Sequence, residues 1–144
     1  MIRLHADMFH HGHLEFLKKA SAMGDYLIVG IHSDYDAANM KRQPILRVEE
    51  RVAVITGCKY VDEVRPSALW CTNAGWITQH YIDIVVHGDD FSKEELVHYY
   101  SVPIGMGIFR TIPYTPGITT TEIIIRCKQS DLESKKTSSF TFVP

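Results

Sequence analysis

The sequence predicts an α/β protein, a Rossmann-like doubly wound parallel sheet in one domain, and three observations lead there. Short apolar, β-branched runs alternate with helix-period segments along most of the chain, which implies right-handed βαβ units. The run "DYLIVGIHS" at 25–33 is almost continuously apolar, as suits a strand covered by helices on both faces. Polar clusters recur just after predicted strands, where open parallel sheets bind ligands.

In chain order, "IRLHA" (2–6) reads as a first strand. The helix at 12–23 follows, placing Phe16, Leu17, Ala20 and Met23 on one face with Gly24 as its C-terminal cap. After the strand at 25–33, "KRQPILR" (41–47) reads as a loop and 48–58 as a helix. A short strand at 61–66 precedes a helix at 72–81 with Thr72 as cap. Strands at 83–88 and 107–114 and a helix at 119–127 complete the series. The domain is expected to span 1–128. The polar, Ser/Thr-rich stretch 129–144 reads as a loosely docked tail.

Composition narrows the function classes. A chain of 144 residues buries a full core, and a formal charge of −2 argues against a broad nucleic-acid or membrane surface. No apolar run approaches the roughly 20 residues of a membrane span, and "MIRLHAD" lacks a signal-peptide apolar region. Cys58, Cys71 and Cys127 form neither a disulfide framework nor a zinc pattern, so a cytoplasmic setting is expected.

The chemistry concentrates in "DMFHHGH" (7–13). His10 and His13, three apart, share one face of an opening helical turn, and His11 points elsewhere. Gly12 permits close approach to the backbone. A metal site, buried structural histidines and a phosphate-handling pair are all readings of this cluster. The last suits a helix start best, because free N–H groups and the helix dipole attract anions there. A second helix start, "GITTTE" (117–122), offers Thr119, Thr120 and Thr121. One threonine would also serve as a plain N-cap, with Glu122 closing a capping box. Lys41 and Arg42 add positive charge from the loop before Pro44.

Taken together, "DMFHHGH", "GDYLIVGIHSD", the Lys41 loop before "EER" (49–51), "CKYVDEV" (58–64), "IDIVVHGDD" (82–90), "GIFR" (107–110) and "GITTTE" resemble the cytidylyltransferases of the His-x-Gly-His nucleotidyltransferase superfamily. The phosphoethanolamine-using members are most similar. The resemblance implies transfer of CMP from CTP to a small phosphorylated alcohol, with phosphocholine and glycerol 3-phosphate as alternative acceptors. It implies that His10 and His13 contact the CTP phosphates and that Lys41 covers them. Thr120 would bind the β/γ end, with Gly117, Ile118, Thr119 and Thr121 around it. Asp7 and Asp89 fall at nucleotide-contact positions, the backbone of His87 and Gly88 would read cytosine, and Lys59 holds a position linked to phosphate. Trp70 and Arg3 fall beside the alcohol substrate. Magnesium would arrive on the triphosphate, with no protein metal site, and a homodimer would form through 60–64.

Three positions depart from the pattern. Leu4 stands where relatives have glycine, Arg3 where amine-using relatives carry an acid, and Tyr114 where an arginine often opens the last motif. Arg110, four residues earlier, would keep the strand face but stand ~13 Å away, so it could replace that charge only by a different approach path. The departures also allow a nucleotide-binding homologue with impaired catalysis.

Overall fold

In a computed structural model, which describes residues 1–68, 71 and 73–137, the chain forms a five-stranded, all-parallel sheet. The strands are β1 (Ile2–Leu4), β2 (Ile28–Ile31), β3 (Glu63–Pro66), β4 (Val85–Gly88) and β5 (Phe109–Ile112), in the order β3-β2-β1-β4-β5. The chain winds outward from β1 through α1 (His11–Ser21), α2 (Asp34–Met40) and α3 (Val48–Thr56). It then returns through α4 (Ala74–Gln79) to lay β4 on the other side of β1. The direction of winding therefore reverses between β1 and β4, which opens a crevice at their carboxyl ends. α5 (Lys93–Gly105) leads to β5, and α6 (Thr120–Thr137) follows.

The apolar strands are buried on both faces, and alternate residues serve different layers. Ile2, Val29, Ile31 and Val86 pack with Leu17 and Ala20 of α1 and Ile55 of α3. Met1, Ile28 and Val85 pack on the other face with Ile77 of α4 and Tyr100 of α5. This double layering fulfils the doubly wound expectation.

Several local expectations are corrected. The strands are shorter than expected, β1 at its carboxyl end, β3 and β4 at their amino ends, and β2 and β5 at both. α1 ends at Ala22, a right-handed cap (φ −71°, ψ −6°), so Gly24 is not the cap. α4 is capped by Asn73, whose side chain accepts from the Trp76 amide at 2.7 Å; Thr72 lies outside the described residues. α2 and α5 were not foreseen, although both carry visible start signals. Ser33 caps α2 by accepting from the Asp36 amide, and Ser92 and Glu95 form a reciprocal capping box on α5. α6 continues to Thr137, past the helix end expected at 127.

The β1–α1 loop is conformationally costly. Ala6 (φ 54°) and Met8 (φ 48°) both adopt left-handed backbone geometry without being glycine, at about 1–2 kcal/mol each. They flank Asp7, and the contacts of that residue offset the cost.

Candidate active site

A cleft of about 380 Å³ opens at the switch point, within the roughly 300–1,000 Å³ range of small-molecule sites. Two helix starts meet there. Thr120 Oγ1 donates to the backbone oxygen of Asp7 at 3.0 Å, which ties the first turn of α6 to the loop before α1. Thr119 Oγ accepts from the Glu122 amide at 3.0 Å, so it is the N-cap of α6 and also lines the cleft. Thr121 lines it too. A methyl group placed on Gly12 would sit 3.0 Å from His10 Cε1 and 3.2 Å from Ile118 Cγ2. A side chain there would push the His10 ring or Ile118 by a few tenths of an ångström, so glycine eases the approach of the two helix starts.

The two histidines stack, with ring centroids 3.9 Å apart at 28°. His13 Nδ1 accepts from the His10 amide at 3.3 Å, which assigns the imidazole proton to Nε2. Burial, and then the neighbouring His10, pushes the His13 pKa down to about 3. Burial and then His11 also lower that of His10. Both shifts favour the neutral imidazoles at physiological pH, which leaves N–H donation as the chemistry the pair can offer.

Positive charge comes from the α2–α3 loop. Lys41 and Arg42 both line the cleft. Asp7 anchors this loop: its carboxylate accepts from Arg42 Nη2 (2.8 Å), the Ile45 amide (3.1 Å) and the Leu46 amide (3.0 Å). Burial works to raise the Asp7 carboxyl, but those bonds outweigh it and hold it below the ordinary range. Asp7 thus lies in the cleft as expected, yet its side chain positions the Lys41 loop instead of standing open to a nucleotide.

Arg3, His87 and Gly88 line the cleft as well. His87 Nδ1 lies 3.0 Å from the Gly88 carbonyl, and burial lowers its pKa. Four expectations are corrected by position. Asp89 does not line the cleft; its Oδ1 accepts from the Tyr114 amide at 2.8 Å, and Asp90 lines the cleft in its place. Lys59 sits in the α3–β3 loop at the amino edge of the sheet, where the nearby Asp62 amide bonds the Leu27 carbonyl. α3 carries the chain away from the cleft, and Lys59 lies 5.1 Å from the Tyr60 ring. Gly117 (φ +90°) and Ile118 shape the turn before α6 without lining the cleft. Arg110 donates to the Gly107 and Phe109 carbonyls at its own strand and does not replace the missing charge at Tyr114. Trp70 lies outside the described residues.

The sequence reading missed Arg51, although it quoted "EER". This fully buried guanidinium bonds the carbonyls of His5 (2.6 Å), His32 (2.9 Å) and Leu46 (3.1 Å) and the Asp34 carboxylate (2.6 Å). It joins the ends of β1 and β2 to the Lys41 loop. His5, His32, Phe91, Tyr99 and Tyr100 are further cleft residues it passed over.

Two expected results follow from this geometry. Gly12→Ala removes a helix-destabilising glycine, worth up to about 1 kcal/mol, and the crowding of His10 and Ile118 works against that gain. It displaces the His10 ring, however, and costs about ten- to a hundredfold in turnover if the site is catalytic. Unchanged turnover refutes the packing argument. The second concerns pH. Burial lowers His5 to about 4, with Lys41 adding to it, and His32 to about 3, with His5 adding to it, alongside His13 at about 3. Unfolded histidines titrate near 6.5, so below that pH the unfolded chain binds more protons and stability falls progressively toward pH 3. The melting temperature should already drop between pH 7 and 5, above the carboxylate range. A flat profile across that window contradicts the burial.

Fold and site together define an open α/β protein with an anion-attracting cleft at its topological switch point. Residues 5–126 match the family described as Cytidylyltransferase-like. The chain belongs to that family. It is 41% identical over 132 residues to the ethanolamine-phosphate cytidylyltransferase of Dictyostelium discoideum, covering 88% of this chain and 37% of that protein. It is 44% identical over 127 residues to that of Arabidopsis thaliana, covering 83% and 30%. The choline-phosphate cytidylyltransferase of Saccharomyces cerevisiae is 34% identical over 132 residues, covering 87% and 31%. The chain thus spans about a third of the length of these relatives. Among solved structures, the lipopolysaccharide core biosynthesis protein of Thermoplasma volcanium GSS1 superposes with a TM-score of 0.64 at 26% identity, covering 82% of this chain and 96% of that one.

Proposed function

We propose that this chain transfers CMP from CTP to a small phosphorylated alcohol, phosphoethanolamine first among the candidates, giving a CDP-alcohol and pyrophosphate. The observation that carries this reading is the convergence of His10, His13, Lys41 and Thr119–Thr121 on one cleft. The relatives named for ethanolamine phosphate, at 38–44% identity in three organisms, support the choice of acceptor.

In this reading the acceptor phosphate oxygen attacks the α-phosphorus of CTP, and the bond to the β-phosphate oxygen breaks as pyrophosphate leaves. No covalent enzyme intermediate is needed. Neutral imidazole N–H groups from His10 and His13, the free amides that open α1, and Lys41 stabilise charge as it builds on the phosphate oxygens. The hydroxyls and amides opening α6 hold the far phosphates. Magnesium would supply further charge neutralisation when bound. Asp7 and Asp90 are the carboxylates among the described cleft residues, and that of Asp7 is engaged by Arg42 and two amides. Among the described residues no group of three or more His, Cys, Asp or Glu side chains is arranged to hold a metal. In this reading magnesium would be carried on the triphosphate's own oxygens.

We also place this chain in a homodimer through the region 60–64. Support comes from β3, which begins at Glu63 and forms an edge of the sheet. Sedimentation of the wild type against Val64→Lys reads this directly. No helix among the described residues is long and apolar enough to cross a membrane. Three free cysteines support a reducing, cytoplasmic setting.

The decisive experiment measures pyrophosphate release from CTP or ATP with phosphoethanolamine, phosphocholine and glycerol 3-phosphate. Magnesium-dependent release with CTP and phosphoethanolamine is the expected result, and no turnover with any pair overturns the reading. CTP binding without release would instead favour the impaired homologue, for which Tyr114 at the α6 entrance is the motivating feature.

A further inference from the structure

One part of the cleft is not accounted for by phosphate chemistry. Arg3 lies on the face of β1 turned toward α5, and its guanidinium carbon is 4.4 Å from the centroid of the Tyr100 ring. Its Nη2 reaches the Tyr99 carbonyl at 3.4 Å. Arg3 is only 4% exposed and Tyr100 only 3%. A side chain so enclosed cannot swing away to make room for a ligand. Its stem runs beside Gly30 of the neighbouring strand β2, where a Cβ would lie 3.4 Å from Arg3 Cγ. The rest of the Tyr100 ring is taken by Phe109 (centroids 4.9 Å apart) and His87 (5.1 Å). The aromatic end of the cleft therefore already contains a cation on its central ring.

We propose that Arg3 sets the acceptor preference of this cleft: by occupying the Tyr100 face it removes the surface a trimethylammonium head needs, so the site takes a primary ammonium and turns away a quaternary one. The inference rests on the acceptor being a phosphorylated amino alcohol, as proposed above. A quaternary ammonium has no N–H and depends on aromatic faces for recognition. A primary ammonium carries three donors and is held by oxygen acceptors instead. Asp90 offers such an acceptor. It lines the same cleft, its side chain is 43% exposed, and its Oδ1 lies 3.7 Å from His87 Nδ1. Arg3 repels both ammonium forms, but only the primary one gains compensating hydrogen bonds from the carboxylate. Each added methyl removes a donor and gains no contact with the covered Tyr100 face, so discrimination should grow stepwise.

The test uses the wild-type chain with CTP and four acceptors: phosphoethanolamine, its N-methyl and N,N-dimethyl forms, and phosphocholine. kcat/KM is expected to fall at each methyl, leaving phosphocholine at least about tenfold below phosphoethanolamine. In Arg3→Ala, checked for folding by circular dichroism, the ratio should move toward phosphocholine by about tenfold as the Tyr100 face is freed. Calorimetric titration of the wild type with the same four compounds reads the preference independently of turnover. Discrimination in binding without any turnover overturns the transferase reading alone. Equal handling of the primary and quaternary forms by the wild type, or an unmoved ratio in a folded Arg3→Ala, overturns the role of Arg3 alone. Binding of none of the four overturns both.

Discussion

His10→Ala and His13→Ala are each expected to lower CMP transfer about 100- to 1,000-fold while the protein remains folded. That is the usual effect of removing one donor aimed at charge developing on a reacting oxygen. The donors are prepared before any ligand arrives. The His10 amide occupies His13 Nδ1, so the proton of His13 sits on Nε2, and stacking at 3.9 Å fixes both rings. Burial lowers the pKa of both rings below the ordinary histidine value, so the loss is one of directed hydrogen bonds and should persist from pH 7 to 8. His11, exposed on the other side of the same turn, is the internal control, and His11→Ala should leave turnover unchanged. Pyrophosphate release by the three variants decides it. Full activity in both His10 and His13 variants removes them from the chemistry.

The largest effect on stability is expected at Arg51. Its guanidinium makes four kinds of contact at once, to three carbonyls from separate segments and to Asp34, and none of its surface reaches water. Arg51→Met keeps much of the volume but strands those acceptors in the interior and leaves Asp34 without its cation. Removing one partner from a buried ionic network of this kind costs about 3–5 kcal/mol. For a chain of this size that lowers the melting temperature by roughly 10 °C. Arg51→Lys should recover little, because an ammonium point charge cannot span the fork of acceptors that a planar guanidinium reaches. Thermal unfolding of both variants is the measurement, and a loss under about 1 kcal/mol would show that the network is dispensable. The Lys41 loop hangs partly from this residue through the Leu46 carbonyl, so CTP affinity should weaken alongside stability.

The strand–helix alternation, the two helix starts and the histidine spacing were all legible in the sequence because they are local. A three-residue interval puts His10 and His13 together whatever the rest of the chain does, and a Ser–x–x–Glu box announces α5. Neighbouring residues at a strand end were harder to separate. Asp89 and Asp90 differ by one position, yet only Asp90 lines the cleft, because the Asp89 carboxylate is turned to the Tyr114 amide across 25 residues of chain. Lys59 carried the right charge but rides the far end of α3, and only the topology shows that this end belongs to the amino edge.

By itself, then, the sequence determined the layered α/β plan and the histidines and threonines that line the cleft, since hydrophobic period and helix-start chemistry are written within a few residues. Tertiary structure alone decided that Arg51 is an internal tie, that Asp7 anchors the Lys41 loop, and that Arg3 lies against Tyr100. Those partners stand dozens of residues apart, and the choice among many possible charges and rings is made only when the sheet order brings particular ones into contact.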